Sequence, residues 1–461
     1  MPSKSNKKQQ KRTSSKKKEN KKENKKENKK EPNKEKTEQP QDSKKDRKAN
    51  KQATKKEAKK EKDNKNGNKN LICLDNIKAC LMHQNVEKAY KNNIQHVNKE
   101  KHDKVLEESS SFILNSCDAP SGKYSVYFTA GEYESNVLIL QSAINAYKKI
   151  RKIKPHVVIS SSEHESIVIF TKSLLDSDQI ELTIIKPNAY GCVLSDTVLK
   201  SLKPNTCIVS ITYINHELGS VNNIEKISEI LHEKHIPLHS NCSYIFGKHK
   251  LDLKKTNIDA VTVSFDKIGG PIGIGALIIC NDLMNGYKLG EHSTLLEKTG
   301  PYSIPGIVSS IESLKISMTN RKSKNAELLK LRNNIIDELS KSSQLLTFAN
   351  FMKSDEPPLD ETKKSKNKFV ILGPPIDNES YYTPSILSFI IITQKNKSCD
   401  IIKQELSKKN IIIGVPDHHN IMYNDIGIPV ETQKYIIRIS LFDHIKKSDI
   451  DVFLKELKTL I

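Results

Sequence analysis

Ser264-Phe265-Asp266-Lys267-Ile268-Gly269-Gly270-Pro271-Ile272-Gly273-Ile274-Gly275 places a lysine directly after an apolar strand-like run, Asp259–Val263, and before a glycine-rich turn. A lysine that forms Schiff bases needs such a place: held by rigid structure at a strand end, yet reaching a cleft. The glycines let backbone approach a ligand closely. Taken alone, the stretch reads more readily as a surface lysine before a β-turn.

Working outward, short apolar runs alternate with segments of helical period. Strands are expected at Ser125–Thr129, His156–Ser160, Ile180–Ile185, Cys207–Thr212, Ile236–Ser240, Ala260–Val263 and Ala276–Cys280. Helices are expected over Glu134–Ile150, Glu163–Leu175, Ser195–Leu202 and Ile224–His235. This alternation predicts an α/β body with a mainly parallel sheet, helices on both faces, and nearly continuous Val/Ile strands. Long helices near 306–345 lead to a second group: strands at Ile386–Thr393, Ile411–Ile413 and Tyr435–Ser440, with helices at Asp400–Lys408 and Lys447–Thr459. That order reads as a smaller α+β domain. The expected organisation is therefore a Lys-rich tail over 1–70, an N-terminal segment over 71–123 that contributes to the small domain, a large α/β domain over 124–305, and connecting helix plus small domain over 306–461. Polar, Pro-containing residues 352–370 read as a surface loop.

Four further motifs fall where strands are expected to end: Phe128-Thr129-Ala130-Gly131-Glu132-Tyr133-Glu134-Ser135, Ser162-Glu163-His164, Tyr213-Ile214-Asn215-His216-Glu217-Leu218-Gly219, and His239-Ser240-Asn241-Cys242-Ser243-Tyr244-Ile245-Phe246-Gly247-Lys248. Carboxyl ends of strands are where open α/β sheets bind ligands. The glycine turn at 131 before a helix suits an anion. His164 suits ring stacking or proton transfer. Each motif alone reads as an ordinary turn or cap; five in a fixed order do not.

Their order and spacing resemble the NifS/IscS cysteine desulfurases of the class-V aminotransferase family, from about Leu74 to Leu457 and most strongly over 124–280. The resemblance implies fold type I, a large mainly parallel-sheet domain with a smaller α+β domain, in a homodimer. It implies pyridoxal 5'-phosphate as cofactor, bound as a Schiff base on Lys267, with His164 stacking on its ring. Ser264 and the turn at 131–133, which includes Glu132 and Tyr133, would hold the phosphate, with Ser243 close by. Asn215 or His216 would face the cofactor oxygen or the substrate. The implied chemistry removes sulfur from L-cysteine, or acts on another amino acid, with the cofactor as electron sink.

Several positions depart from the family pattern. Asn241 stands where an aspartate pairs with the pyridine nitrogen; an amide only hydrogen-bonds, so the sink is weakened. Tyr244 replaces a glutamine, Asp266 a phosphate-binding histidine, and Tyr133 a phosphate-binding threonine. Glu132 is expected to cap its own helix and fill the anion site. Before the last strand, Ile413-Gly414-Val415-Pro416-Asp417-His418-His419-Asn420 has no cysteine, and Asn420 stands in one alignment where the nucleophile belongs. Cys399 reads as core, and Cys242 as near the cofactor but on a strand end. Lys298-Thr299-Gly300-Pro301 only partly matches a motif that reaches the partner subunit's phosphate. The alternative expectation is a catalytically degenerate scaffold.

Charge sharpens that alternative. Residues 1–70 hold 28 Lys and Arg against 11 Asp and Glu, whereas the remaining residues hold 48 against 44. The body is nearly neutral, which argues against a nucleic-acid enzyme and, with the five ordered motifs, against a nucleic-acid-binding protein with an unrelated α/β body. The tail, which repeats Lys-Lys-Glu-Asn over 17–30, has the composition of a disordered segment that binds nucleic acid, another anionic surface, or an import receptor. The eight cysteines form no CxxC pair, and His418-His419 lacks further ligands, so no metal is expected. No apolar signal region and no run of 18 apolar residues occur, so a cytoplasmic or nuclear protein without a membrane span is expected.

Overall fold

The structure is a computed structural model that describes residues 71–78, 80–94, 99–286, 301–353, 367–374, 381–393, 395, 397–416 and 421–461. The expectations for the tail, for Asp417–Asn420 and for residues 298–300 lie outside these residues.

Seven strands form the main sheet: β2 (Tyr124–Thr129), β3 (His156–Ser160), β4 (Glu181–Ile185), β5 (Thr206–Ser210), β6 (Leu238–Asn241), β7 (Ala260–Ser264) and β8 (Gly275–Cys280). Their spatial order is β2-β8-β7-β6-β5-β3-β4, and every pairing is parallel except those made by β8. Consequently β2, β3, β5, β6 and β7 present their carboxyl ends along one edge. Strands β3, β5, β7 and β8 are buried throughout, which is why their sequences are runs of Val and Ile rather than an alternation. The helices Glu132–Arg151, Glu165–Asp176 and Ile224–His232 supply apolar side chains to the same core.

Glycine decides one close approach here. Gly275, where β8 begins, lies against the backbone of Gly131: a Cβ added at 275 would stand 2.6 Å from the Gly131 Cα. Gly131 itself has φ 126°, the region open to glycine, and ends β2 by turning the chain into the next helix.

The C-terminal part holds a second sheet, in the order β13 (Ile436–Ser440), β11 (Ile386–Ile392), β10 (Lys368–Ile371), β9 (Gln344–Thr347). A parallel pair, β1 (Ile72–Leu74) with β12 (Ile411–Ile413), joins it through bridges from Asp75 and Gly414 to β13. The helices Arg321–Ser340, Cys399–Ser407 and Lys447–Leu460 cover one side of this sheet with a core of their own. Part of the stretch expected as a loop is strand. Phe369 and Val370 are buried and the run pairs with β11, so four apolar-rich residues at the end of a polar segment escaped notice. The linking helices are Ile304–Met318 and Arg321–Ser340. Among the described residues, no helix is long and apolar enough to cross a membrane.

Candidate active site

Lys267 lies on a 3-10 turn, Phe265–Ile268, immediately after β7, and is buried. Its Nζ donates to the backbone carbonyl of Lys78 at 3.1 Å and to Asp266 Oδ2 at 3.1 Å. The Glu132 Oε2 is 3.8 Å away. The turn is pinned from behind, because the Cys80 thiol donates to the Lys267 carbonyl at 3.0 Å and the Cys80 N–H to the Asp266 carbonyl at 2.9 Å. The lysine thus meets two carboxylates, in the pocket where the resemblance expects it to meet a cofactor.

Glu132 opens the helix after β2, with its side chain buried. Its Oε1 accepts a short hydrogen bond from the Asn241 amide at the end of β6. Its Oε2 has no hydrogen-bond partner and stands 3.8 Å from His164 Nε2 as well as from Lys267 Nζ. Glu132 does not cap its own helix. No side chain caps that helix; the Glu134 carboxylate instead accepts from the N–H of Ala130, which precedes it. The glutamate therefore reaches sideways, across the top of the sheet, to the three side chains around it.

His164 caps the helix Glu165–Asp176, its Nδ1 accepting from the Ser166 N–H at 3.2 Å. In the neutral ring the proton is then on Nε2, the nitrogen directed at Glu132. His216 follows, 5.9 Å from His164 between ring centroids, and stacks on Tyr244 at 5.6 Å and 18°. Burial pushes the His216 imidazole down to about 3, so it is neutral. Burial also raises Glu163, whose Oε1 accepts from the Thr212 N–H at 2.6 Å, well above the usual carboxylate range.

The remaining expected residues divide. Ser264 lies in the pocket, but its hydroxyl donates to Asp266 Oδ1, so the aspartate engages both the serine and the lysine. Ser243 is buried beside Asn241, and its hydroxyl has no hydrogen-bond partner. Tyr244 donates to the Ile77 carbonyl at 3.3 Å, and burial raises its phenol. Asn215 is used by backbone: its amide donates to the Ser162 carbonyl, and its Oδ1 accepts from the N–H groups of Glu217 and Leu218. Tyr133 does not face the pocket; it is 66% exposed.

One cluster escaped the sequence. Arg438 of β13 is buried against Glu217, next to Asp75 at 3.3 Å, and Tyr423 donates to Glu217 at 2.8 Å. An Arg within an apolar Ile run of a buried strand was the available signal, since such a cation is almost never buried unpaired. Burial raises all eight cysteine thiols, Cys80 and Cys192 to about 11 and Cys117, Cys207 and Cys399 to about 12. None is a ready thiolate at neutral pH.

The class-V aminotransferase model matches residues 74–299. Cysteine desulfurase IscS of Plasmodium falciparum is 36% identical over 177 residues, 38% of this chain and 32% of that protein. IscS of Methanosarcina thermophila is 30% identical over 221 residues, 47% of this chain and 53% of that protein. The chain thus spans from about 32% to 56% of the length of such curated relatives. A NifS-like protein of known structure superposes with TM-score 0.68 at 18% identity, over 85% of this chain and 99% of that one. A NifS-like protein from Rickettsia africae superposes at 0.67 with 20% identity, over 85% and 99%. Fold and family model together define a fold-type-I protein of the pyridoxal-phosphate class. Within it, the chain is a NifS/IscS-like member of the class-V aminotransferase family.

Proteins of this family depend on pyridoxal phosphate. As they stand, the pocket residues do not fit that group. Glu132 bonds the amide at 241, the position that would face the pyridine nitrogen, and reaches toward the histidine and lysine that would flank the ring. Asp266 adds a second anion where a phosphate would gather positive charge.

Proposed function

We propose that this chain keeps the fold of the NifS-like proteins without their desulfurase chemistry, and acts as a folded scaffold. The observation that carries this reading is the Glu132 carboxylate lodged between Asn241, His164 and Lys267. Two facts support it. The segment before the last strand contains no cysteine to receive sulfur. Every thiol elsewhere is held protonated by burial, so no other cysteine offers itself as the nucleophile. Residues 1–70, with their excess of lysine, would attach the scaffold to nucleic acid or another anionic partner by salt-sensitive binding. The body would pair as a homodimer, as the resemblance implies.

A second reading keeps the cofactor: pyridoxal phosphate displaces Glu132 and joins Lys267 as a Schiff base. The buried lysine at a sheet edge, with His164 beside the pocket, favours it. Absorbance of the purified full chain after exposure to pyridoxal phosphate and removal of unbound cofactor separates the two. The scaffold reading expects no band at the violet edge of the visible, in wild type or in Lys267→Ala. A wild-type band that disappears in Lys267→Ala would establish the second reading; amino-acid substrates would then be tested.

A further inference from the structure

We infer that Glu132 and Asn241 are a matched pair: the carboxylate serves as a built-in substitute for the cofactor ring, and the amide exists to hold it. This deepens the scaffold reading and rests on it. The two residues are 109 positions apart in the chain and meet only because β2 and β6 end on the same edge of the sheet.

Each substitution makes chemical sense only with the other. An aspartate at 241 would set a second carboxylate against Glu132 in a buried site, and two like charges there disfavour ionisation of both. An asparagine supplies the N–H donor that Glu132 Oε1 accepts, while its own Oδ1 accepts from the Ser243 N–H at 3.1 Å. A small residue at 132 would leave the Asn241 amide a buried donor without an acceptor, which costs its full desolvation. The other oxygen of Glu132 faces the Lys267 ammonium and the His164 Nε2, each at 3.8 Å. One carboxylate therefore addresses the three side chains that the resemblance assigns to ring nitrogen, ring face and aldehyde.

The surroundings favour an anion at that point. Glu132 lies in the first turn of a 20-residue helix, where free N–H groups and the helix dipole attract negative charge. With Asp266 it sets two carboxylates close to the largely buried Lys267 amine, at 3.8 Å and 3.1 Å. Around the pair, a Cβ on Gly131 would stand 3.7 Å from Ser264 Oγ, and the buried Ser243 hydroxyl beside Asn241 has no hydrogen-bond partner, a donor left over next to the pair.

Two measurements test the pairing on the full chain. The first needs no cofactor: thermal midpoints of wild type, Glu132→Ala, Asn241→Ala and the double variant. A matched pair predicts that the double variant melts no lower than the worse single one; losses that add would overturn the pairing. The second is retention of pyridoxal phosphate by Glu132→Ala/Asn241→Asp. Opening the pocket lets the Lys267 amine condense with the aldehyde and release water. At least tenfold more bound cofactor than in wild type is expected, as a violet-edge band abolished by adding Lys267→Ala. A folded double variant that retains no more cofactor than wild type would refute the substitution for the ring. Should that variant fail to fold, Glu132→Ala alone gives the same readout. Retention by wild type would instead sink the scaffold reading, while the melting comparison still decides whether the two residues are coupled.

Discussion

His239 offers a clean test of how this sheet is held together. It sits in the middle of β6, fully buried, with Nδ1 at 2.9 Å from Ser210 Oγ on β5 and Nε2 at 3.0 Å from Thr262 Oγ1 on β7. No carboxylate compensates a charge there, and burial alone pushes the imidazole down to about 3. In the unfolded chain a histidine titrates near 6.5. Its folded value is lower, so the unfolded state binds the extra proton, and stability falls as pH drops below about 6.5 until it reaches the folded value. At pH 5 the unfolded ring is almost wholly protonated and the folded ring is not, a penalty of about 2 kcal/mol that is nearly absent at pH 7. His239→Asn removes the titration. The variant is less stable than wild type at pH 7, but its deficit should shrink by about 2 kcal/mol at pH 5. For a body of this size, with an m-value of about 4 kcal/mol/M, that is about 0.5 M in the difference between urea midpoints. Other groups that titrate in this range, including His216 and Glu163, cancel in the comparison. Parallel pH profiles for the two proteins would refute the claim that this imidazole is buried neutral.

Arg438→Met should destabilise the body by about 3–5 kcal/mol, because it strands Glu217 and Asp75 as buried carboxylates; urea denaturation measures it, and Arg438→Met/Glu217→Gln should recover part of the loss. Gly275→Ala forces a Cβ onto the Gly131 backbone, which has no flexible end to move aside, and should cost on the order of 3 kcal/mol in the same assay. Thiol labelling with a disulfide reagent at about neutral pH should be slow in the native protein and fast in denaturant for the six buried cysteines, Cys80, Cys117, Cys207, Cys242, Cys280 and Cys399; one of these that reacts at once in the native state would reveal an activated cysteine that the burial pattern denies.

Much of the main sheet was legible because its strands are continuous apolar runs bounded by polar turns. The range His156–Ser160 agrees end to end with expectation, as does Ile411–Ile413 outside that sheet, and most others shift by one or two residues. The shifts have local causes. The helix after β2 starts at Glu132 rather than Glu134 because Gly131 takes φ 126° and turns the chain at once. The next begins at Glu165 because the His164 side chain, not a Ser or Asp, makes the cap. Lys368–Ile371 was hidden by its lysine-rich approach, since composition over a window dilutes four residues whose strand character comes from pairing with β11.

The pocket was legible as a set of positions but not as a set of contacts. Read singly, Asn241 looks like a weakened aspartate and Glu132 like a misplaced helix cap; both readings describe damage. The damage disappears once the two are seen to touch, because a donor and an acceptor that would each be costly alone satisfy one another. The same holds for Asp266, which looks hostile to a phosphate but is the hydrogen-bond partner of both Ser264 and Lys267. The charged groups lie close together: Lys267 faces two carboxylates, and His164 caps a helix through Nδ1 while its Nε2 is directed at Glu132, although the Ser243 and Ser161 hydroxyls and one oxygen each of Glu132 and Glu163 have no hydrogen-bond partner. The scaffold reading therefore expects this arrangement to hold without a cofactor, and it places what must change to readmit one at very few side chains, Glu132 and Asn241 first.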